Sequence, residues 1–133
     1  DFALAFHASA PRTAFETLRR VGGREIAAMA GAMLRARQLR IPVMLDGFIC
    51  CAALAPLAAA APAITDHCIA GHCSAEPGHA LLLDRGGWIP LLRLVMGLGE
   101  GSGAAVAVNI VRSALAAHAE MATFAEAKVA DAR

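Results

Sequence analysis

The chain has 133 residues, a formal net charge of +1, 58% hydrophobic residues and 17% charged residues. This length fits one domain, and we expect residues 1–133 to form a single domain. The near-neutral charge excludes the basic footprint of a nucleic-acid-binding protein, and one Trp, five Phe and no Tyr leave few rings on which bases could stack. We therefore expect small-molecule partners and no nucleic acid.

Two helices are predicted in the first third of the chain. The first covers Thr13 to Val21 and is closed by the pair Gly22-Gly23. The second runs from about Arg24 to Arg40, with apolar side chains on one face: Ile26, Met29, Met33 and Leu34. Its last turns carry three cations that complement the helix dipole, namely Arg35, Arg37 and Arg40. A solvated helix end is the favoured interpretation of these arginines.

A buried strand is predicted at Val43 to Leu45, after Pro42 ends the preceding helix. The strand shows no polar alternation, which is typical of a parallel sheet covered on both faces. Asp46 and Gly47 end it. Because ligands bind at the carboxyl ends of parallel strands, Asp46 stands where functional residues collect. The same residue is a suitable cap for the next helix, and both interpretations stay open.

The segment from Ile41 to Thr65 is largely apolar, but Asp46 and three prolines interrupt it. We predict a buried helix from Phe48 to about Ala61, and no membrane span. The first twelve residues lack the basic and apolar regions of a signal peptide. The four cysteines are therefore expected to be reduced thiols in a cytoplasm.

Histidines and cysteines cluster between Asp66 and His79, in the run DHCIAGHCSAEPGH. The spacing matches no common zinc motif, and a strand at His67 to Ala70 would point alternate side chains apart. We favour buried thiols and histidines with local hydrogen bonds, and hold a metal site as a minor alternative. No metal is assigned.

Two further elements follow this cluster. Ser74 can cap a short helix from Pro77 to Asp84, or it can present its hydroxyl to a ligand. After Gly86-Gly87, an apolar element of uncertain type covers Pro90 to Met96.

The glycine loop (residues 97–103) reads GLGEGSG and precedes a helix predicted from Gly103 to Glu120. Its glycines permit positive φ and close ligand approach, and amides at a helix start can hold an anion. Glu100 in this loop is a base beside a phosphate site. This combination indicates an enzyme that acts on a phosphorylated small molecule. Beyond the helix, Thr123 to Glu126 has the form of a capping box, so Glu126 is interpreted as structural.

A weaker alternative is a dinucleotide-binding oxidoreductase. The spacing of Gly99, Gly101 and Ala104 loosely matches the dinucleotide fingerprint, and Glu120 follows about twenty residues later. That acid is predicted at a helix end and not after a strand, which weakens the match.

Several motifs in order resemble one enzyme family. They are GGREIAAMAGAML at Gly22 to Leu34, LDGF at Leu45 to Phe48, HCSAEPGH at His72 to His79, and LGEGSGAA at Leu98 to Ala105. Together they are similar to the nicotinate-nucleotide:dimethylbenzimidazole phosphoribosyltransferases of cobalamin biosynthesis. The resemblance extends from about Gly22 to the end of the chain.

The resemblance implies transfer of phosphoribose from nicotinate mononucleotide to 5,6-dimethylbenzimidazole, without a cofactor. It implies that Glu100 is the general base. It also implies substrate-binding positions at Ser74, Leu98 and Asp46, with Asp46 facing the ribose or supporting residues that do. The part of the glycine loop that would contact the ribose phosphate or line the pocket comprises Gly101, Ser102 and Gly103.

The resemblance further implies an α/β fold, a doubly wound, Rossmann-like parallel sheet with helices on both faces, in a homodimer. Family members are more than twice as long, so this chain is expected to be the carboxyl-terminal portion, helix-rich by itself. Gly97 stands where the family pattern has arginine. The alternative is a truncated product that folds or dimerises but cannot complete a pocket.

Overall fold

The computed structural model describes residues 2–129; Asp1 and residues 130–133, which the single-domain prediction includes, lie outside it. The elements in chain order are α1 (Phe2–Phe6), α2 (Ala14–Thr17), a π-helical turn (Leu18–Gly22), α3 (Gly23–Gln38), β1 (Val43–Leu45), α4 (Phe48–Ala60), a 3-10 turn (Pro62–Thr65), β2 (Cys68–Ala70), α5 (Pro77–Gly86) and α6 (Ser102–Glu120).

The two strands pair in parallel, with Val43 opposite Cys68 and Leu45 opposite Ala70. The predicted α/β class with a parallel sheet and a helix-rich chain is therefore confirmed. Leu45 is buried, whereas Val43 is only half-buried. Coverage of the whole of β1 on both faces, which its apolar sequence predicts, is thus incomplete within the described residues.

The apolar element between Pro90 and Met96 is extended and lies beside the continuation of β2. Backbone hydrogen bonds join the two segments at Leu91–Ala70, Leu92–Gly71, Cys73–Leu92 and Ala75–Met96, with N···O distances of 2.9 to 3.1 Å. A single parallel bridge links His72 and Leu92. This pairing carries the chain back to the carboxyl end of the sheet, where the glycine loop begins.

The core lies between the strands and the helices α3, α4 and α5. Its buried side chains are small or aliphatic: Ala30, Met33, Leu45, Cys51, Ala53, Leu54, Leu57, Ala70, Cys73 and Leu83. On α3 the predicted apolar face is correct in part. Met33 is buried and Ile26 packs at the edge of the core, but Leu34 is exposed. Helix α4 is rich in alanine, which lets it approach its neighbours closely.

The amino-terminal helices differ from the prediction. Helix α1 was not expected, and α2 ends at Thr17, where the chain continues as a π-helical turn. Gly23 then takes φ +71°, a backbone conformation that suits glycine. Glu16 accepts hydrogen bonds from Arg19 and Arg20, which hold the pKa of its carboxyl at about 2. This ion-pair cluster lies on the surface.

Three smaller predictions can be compared directly. None of the described helices is long and apolar enough to cross a membrane. Arg35 donates to Gln38 and Arg37 lies 3.7 Å from Asp66, as expected of a solvated helix end. The Thr123–Glu126 capping-box bonds form, although around a turn and not a helix, which confirms a structural role for Glu126.

Candidate active site

A cavity of about 500 Å³ opens at the carboxyl ends of the two strands. Its walls come from the segments after β1 and β2, the start of α4 and the glycine loop, and include Asp46, Phe48, His72, Ser74, Met96 and Glu100. This is the location that the strand-end rule for parallel sheets predicts for a ligand.

Asp46 binds the start of α6, and not the helix that follows it in sequence. Its Oδ1 accepts a hydrogen bond of 2.9 Å from the amide of Ala104. The N-cap residue of α4 is Gly47, and no side-chain hydrogen bond caps that helix. Asp46 therefore caps α6 through an amide that lies 58 residues later in the chain, and it also lines the cavity. The Ala104 amide, one of those expected to hold a phosphate, is already occupied by a carboxylate of the chain itself.

The glycine loop has three consecutive residues with positive φ. Gly99, Glu100 and Gly101 have φ values of 79°, 56° and 75°. For Glu100, which has a Cβ, the left-handed conformation costs roughly 1–2 kcal/mol. The Glu100 side chain is exposed and makes no hydrogen bond or ion pair within residues 2–129. The Glu100 carboxylate is therefore accessible to a molecule bound in the cavity.

His72 lies against the first turn of α6. It is 3% exposed, and its Nε2 is 3.6 Å from Asp46 Oδ1. The ring packs so closely on Gly103 that a Cβ at that position would overlap it. Nδ1 of His72 has no hydrogen-bond partner among the described residues. The pair of His72 and Asp46 thus fills the space between the sheet and the glycine loop.

His79 fixes the loop that carries Ser74. The Ser74 amide donates to His79 Nδ1 at 2.9 Å, so Nδ1 is the acceptor and the proton of the neutral ring is assigned to Nε2, 3.4 Å from Cys51 Sγ. Burial lowers the pKa of His79, and nearby His72 lowers it further. Burial also raises the pKa of the Cys51 thiol to about 12, so both groups are neutral at pH 7.

Ser74 does not occupy the helix cap that the sequence suggested. The cap position of α5 is Glu76, which makes no side-chain cap bond. The Ser74 hydroxyl instead contacts His79 Nδ1 at 2.9 Å and accepts a long bond of 3.4 Å from the Glu76 amide. Its oxygen is therefore held in place beside the cavity.

The predicted site residues separate into two groups. Asp46, Ser74 and Glu100 line the cavity together. The other four predicted residues lie outside the cavity lining: Leu98, Gly101, Ser102 and Gly103. Of these, Leu98 is 79% exposed. Sequence reasoning missed His72 as part of this site. The strand-end rule that identified Asp46 after β1 applies equally to His72, two residues after β2.

The cluster from Asp66 to His79 consists of separate local contacts. His67 Nε2 donates to the Met33 carbonyl at 2.9 Å, and the Cys73 thiol donates to the Ser74 carbonyl at 3.7 Å. Within the described residues no three His, Cys, Asp or Glu side chains converge as a metal site would require. All four cysteines are free thiols. His72, Cys73 and His79 are buried, as we favoured from the sequence, whereas His67 and Cys68 are only half-buried.

The dinucleotide alternative does not fit the geometry. Glu120 is the last residue of α6 and is exposed, so it lies a helix length away from the glycine loop. The dinucleotide fingerprint places the corresponding acid after a second strand, beside the ribose.

Comparison with known proteins gives a consistent result. A family model described as "Phosphoribosyltransferase" matches residues 1–129. A protein of Novosphingobium aromaticivorans named nicotinate-nucleotide–dimethylbenzimidazole phosphoribosyltransferase is 74% identical over 129 residues, which cover 97% of this chain and 38% of that protein. A protein of the same name from Ruegeria pomeroyi is 62% identical over 128 residues, with 96% and 38% covered.

A solved structure gives the same picture. The crystal structure of CobT from Thermus thermophilus superposes with a TM-score of 0.87 at 41% identity, over 98% of this chain and 38% of that chain. The chain thus spans just over a third of the length of the relatives that it matches.

Proposed function

Because the chain belongs to the phosphoribosyltransferase family whose sequence model matches residues 1–129, we propose that it is the carboxyl-terminal portion of an enzyme that transfers phosphoribose from nicotinate mononucleotide to 5,6-dimethylbenzimidazole. The products are α-ribazole 5′-phosphate and nicotinate. The substrate classes follow the names of relatives that are 74% and 62% identical to it. The observation that carries the proposal is the position of Glu100 in a strand-end cavity with Asp46 and Ser74.

In the proposed reaction, one ring nitrogen of the benzimidazole attacks the anomeric carbon of the ribose. The bond from that carbon to nicotinate breaks, and nicotinate leaves with the bonding electron pair. Glu100 takes the proton from the other ring nitrogen, so that the product ring is neutral. Nicotinate leaves a ribosyl carbon readily because its ring nitrogen is positively charged in the mononucleotide. The step therefore needs neither a cofactor nor an enzyme nucleophile.

The remaining predicted positions surround this step. Ser74 presents a hydroxyl beside the substrates, and Leu98 contacts the aromatic base. Gly101, Ser102 and Gly103 lie outside the cavity lining of the described residues, and the ribose phosphate is their proposed partner. Asp46 acts behind them, because its carboxylate already holds the amide of Ala104. Leu98 is 79% exposed in this chain, which leaves it available for contact with a ligand or with another part of a longer protein.

We also propose that the whole protein is a cytoplasmic homodimer. Four free thiols suit a reducing compartment. Large apolar side chains are exposed on α6, among them Val106, Ile110 and Leu115, and such surfaces favour association with further protein.

The test uses a chimera in which residues 1–129 of this chain replace the matching segment of the Novosphingobium aromaticivorans relative. Nicotinate mononucleotide and dimethylbenzimidazole are supplied, and α-ribazole phosphate is measured by chromatography. We expect the chimera to form product and Glu100→Gln to reduce kcat by about 10²–10⁴-fold, the usual contribution of a general base.

Glu120→Gln is the matched control, because it makes the same change on an exposed carboxylate at the far end of α6. Normal turnover by the Glu100→Gln chimera would refute the assigned base. The 133-residue chain alone is assayed in parallel. Product from the chimera but not from the folded chain would support the alternative of a module that cannot complete its pocket alone.

A further inference from the structure

The glycine loop requires support from outside itself. Its three residues with positive φ include Glu100, for which this conformation is unfavourable. Such conformations persist where the surrounding structure determines them. Two local backbone hydrogen bonds restrain the turn, from the amides of Ser102 and Ala105 to the carbonyls of Gly99 and Gly101. The direction of the Glu100 side chain therefore depends on how the first turn of α6 is held.

The support comes from the ends of both strands. After β1, Asp46 accepts the Ala104 amide at 2.9 Å. After β2, the backbone of Gly71 approaches so closely that a Cβ there would be 3.3 Å from the Ala104 Cα. The His72 ring then covers Gly103 with no room for a Cβ. Gly71 and His72 thus set the position of the turn that Asp46 caps.

The chemistry of His72 favours this role. Nε2 of His72 faces Oδ1 of Asp46 at 3.6 Å, and an N–H at this nitrogen is attracted to the carboxylate. At this distance the contact is electrostatic and not a hydrogen bond. Nδ1 of His72 has no hydrogen-bond partner among the described residues. The side chain therefore offers both a ring of the right size and a polar edge that keeps the Asp46 carboxylate turned toward α6.

We propose that His72 is a positioning residue that orients Glu100, acting through Gly103 and through the capping carboxylate of Asp46. The proposal rests on the proposed role of Glu100 as the base. His72, which is 3% exposed, acts without contact to either substrate. It sets the geometry of the glycine loop, because its ring contacts Gly103, three residues after Glu100.

The first experiment is a double-mutant cycle in the chimera. We expect His72→Leu to lower kcat by on the order of 10²-fold, since misplacing a catalytic group by about 1 Å has that effect. The KM for nicotinate mononucleotide should change much less. His72→Gln should recover most of the rate, because its amide can place an N–H near Asp46. In the Glu100→Gln background, His72→Leu should cause little further loss, since residues that act as a unit are not additive.

An equal fold-loss from His72→Leu in both backgrounds would overturn the proposal, since it would mean that His72 acts on the whole fold. Failure of His72→Gln to recover activity would also overturn it. If Glu100→Gln itself keeps full activity, the proposed function fails, and the second experiment tests the His72 contact independently.

The second experiment is a size exchange read by thermal unfolding of the 133-residue chain. Gly103→Ala should lower the midpoint strongly in the native background and much less in the His72→Ala background, because the overlapping ring is then absent. Gly97→Ala is the control, since a Cβ there would meet only Ala75 at 3.8 Å. Equal shifts from Gly103→Ala in both backgrounds would show that His72 does not hold the turn.

Discussion

The two ends of α6 differ sharply in their surroundings. At the start, Gly103 and Ala107 are buried, and the amide of Ala104 is bonded to Asp46. From Val108 to Glu120 every residue except Val111 is exposed, although most of them are apolar. Apolar residues continue into the far part, at Val108, Ile110 and Leu115, yet they are exposed there, so apolar character alone does not decide burial. What differs is that the start meets the ends of two strands.

The difference separates two sources of helix stability. The start of α6 is held by specific contacts with the sheet. Within the described residues the hydrogen bonds of the far part stay inside the helix, among them Ser113 Oγ to the Asn109 carbonyl, and the segment is rich in alanine, a strong helix former. An isolated helix gains little from propensity alone, and packing of one face normally supplies the rest. The apolar face of the far end is therefore available to a partner surface, while the start already serves the candidate site.

The largest expected effect on stability comes from making the same substitution, alanine to leucine, in the two parts of α6. Ala107→Leu should destabilise the chain by about 1–3 kcal/mol, the usual cost of inserting extra methylenes into a packed position. Ala107 is 0% exposed. Ala116→Leu, on the exposed part of α6, should stay within about 0.5 kcal/mol. Chemical unfolding of both variants measures the difference. Equal effects would remove the distinction between the ends.

The second prediction concerns the hydrogen bond between Asp46 and the Ala104 amide at the start of α6. Asp46→Ala should cost about 0.5–2 kcal/mol, as loss of a helix cap does. The carboxylate accepts the Ala104 amide at 2.9 Å and stands opposite Nε2 of His72. Asp66→Ala is the control, because Asp66 is exposed and its only ion pair within the described residues is a 3.7 Å contact with Arg37. Unchanged stability of Asp46→Ala would mean that the cap contributes nothing.

How far the sequence predicts this structure depends on the range of the interaction. Helix α4, both strands and the parallel arrangement follow from local apolar patterns, and they are observed within a residue or two of their predicted bounds. The partner of Asp46 does not follow, since capping residues are read against the next helix and Asp46 reaches one 58 residues later. The burial of Gly103 under His72 is also set by tertiary packing. Neither contact leaves a signal in local spacing.

The third prediction uses pH to test His79, whose ring lies 6.2 Å from the ring of His72 that covers the start of α6. Burial lowers the pKa of His79 below its ordinary value of 6.5. As the pH falls below 6.5, the unfolded chain therefore binds a proton that the folded chain still excludes. The unfolded state is favoured by proton binding, so the free energy of unfolding should fall with falling pH. At pH values above 6.5 this contribution is constant.

Thermal midpoints between pH 5 and 8 measure this slope. His79→Gln should flatten it, whereas His118→Gln, which removes an exposed imidazole at the far end of α6, should leave it in place. A slope that survives His79→Gln would assign the proton uptake to another group.

The smallest expected effect lies at the exposed end. Leu115 is 61% exposed, so Leu115→Ser should change the free energy of unfolding of this chain by no more than about 0.5 kcal/mol. In the longer chimera, a loss of more than about 1 kcal/mol would show that added protein covers this face, since removing a buried aliphatic side chain costs that much or more. A large loss in the 133-residue chain itself would instead mean that the far end already packs on a surface in solution. The contrast between the two ends would then reflect how α6 associates, and not how it folds.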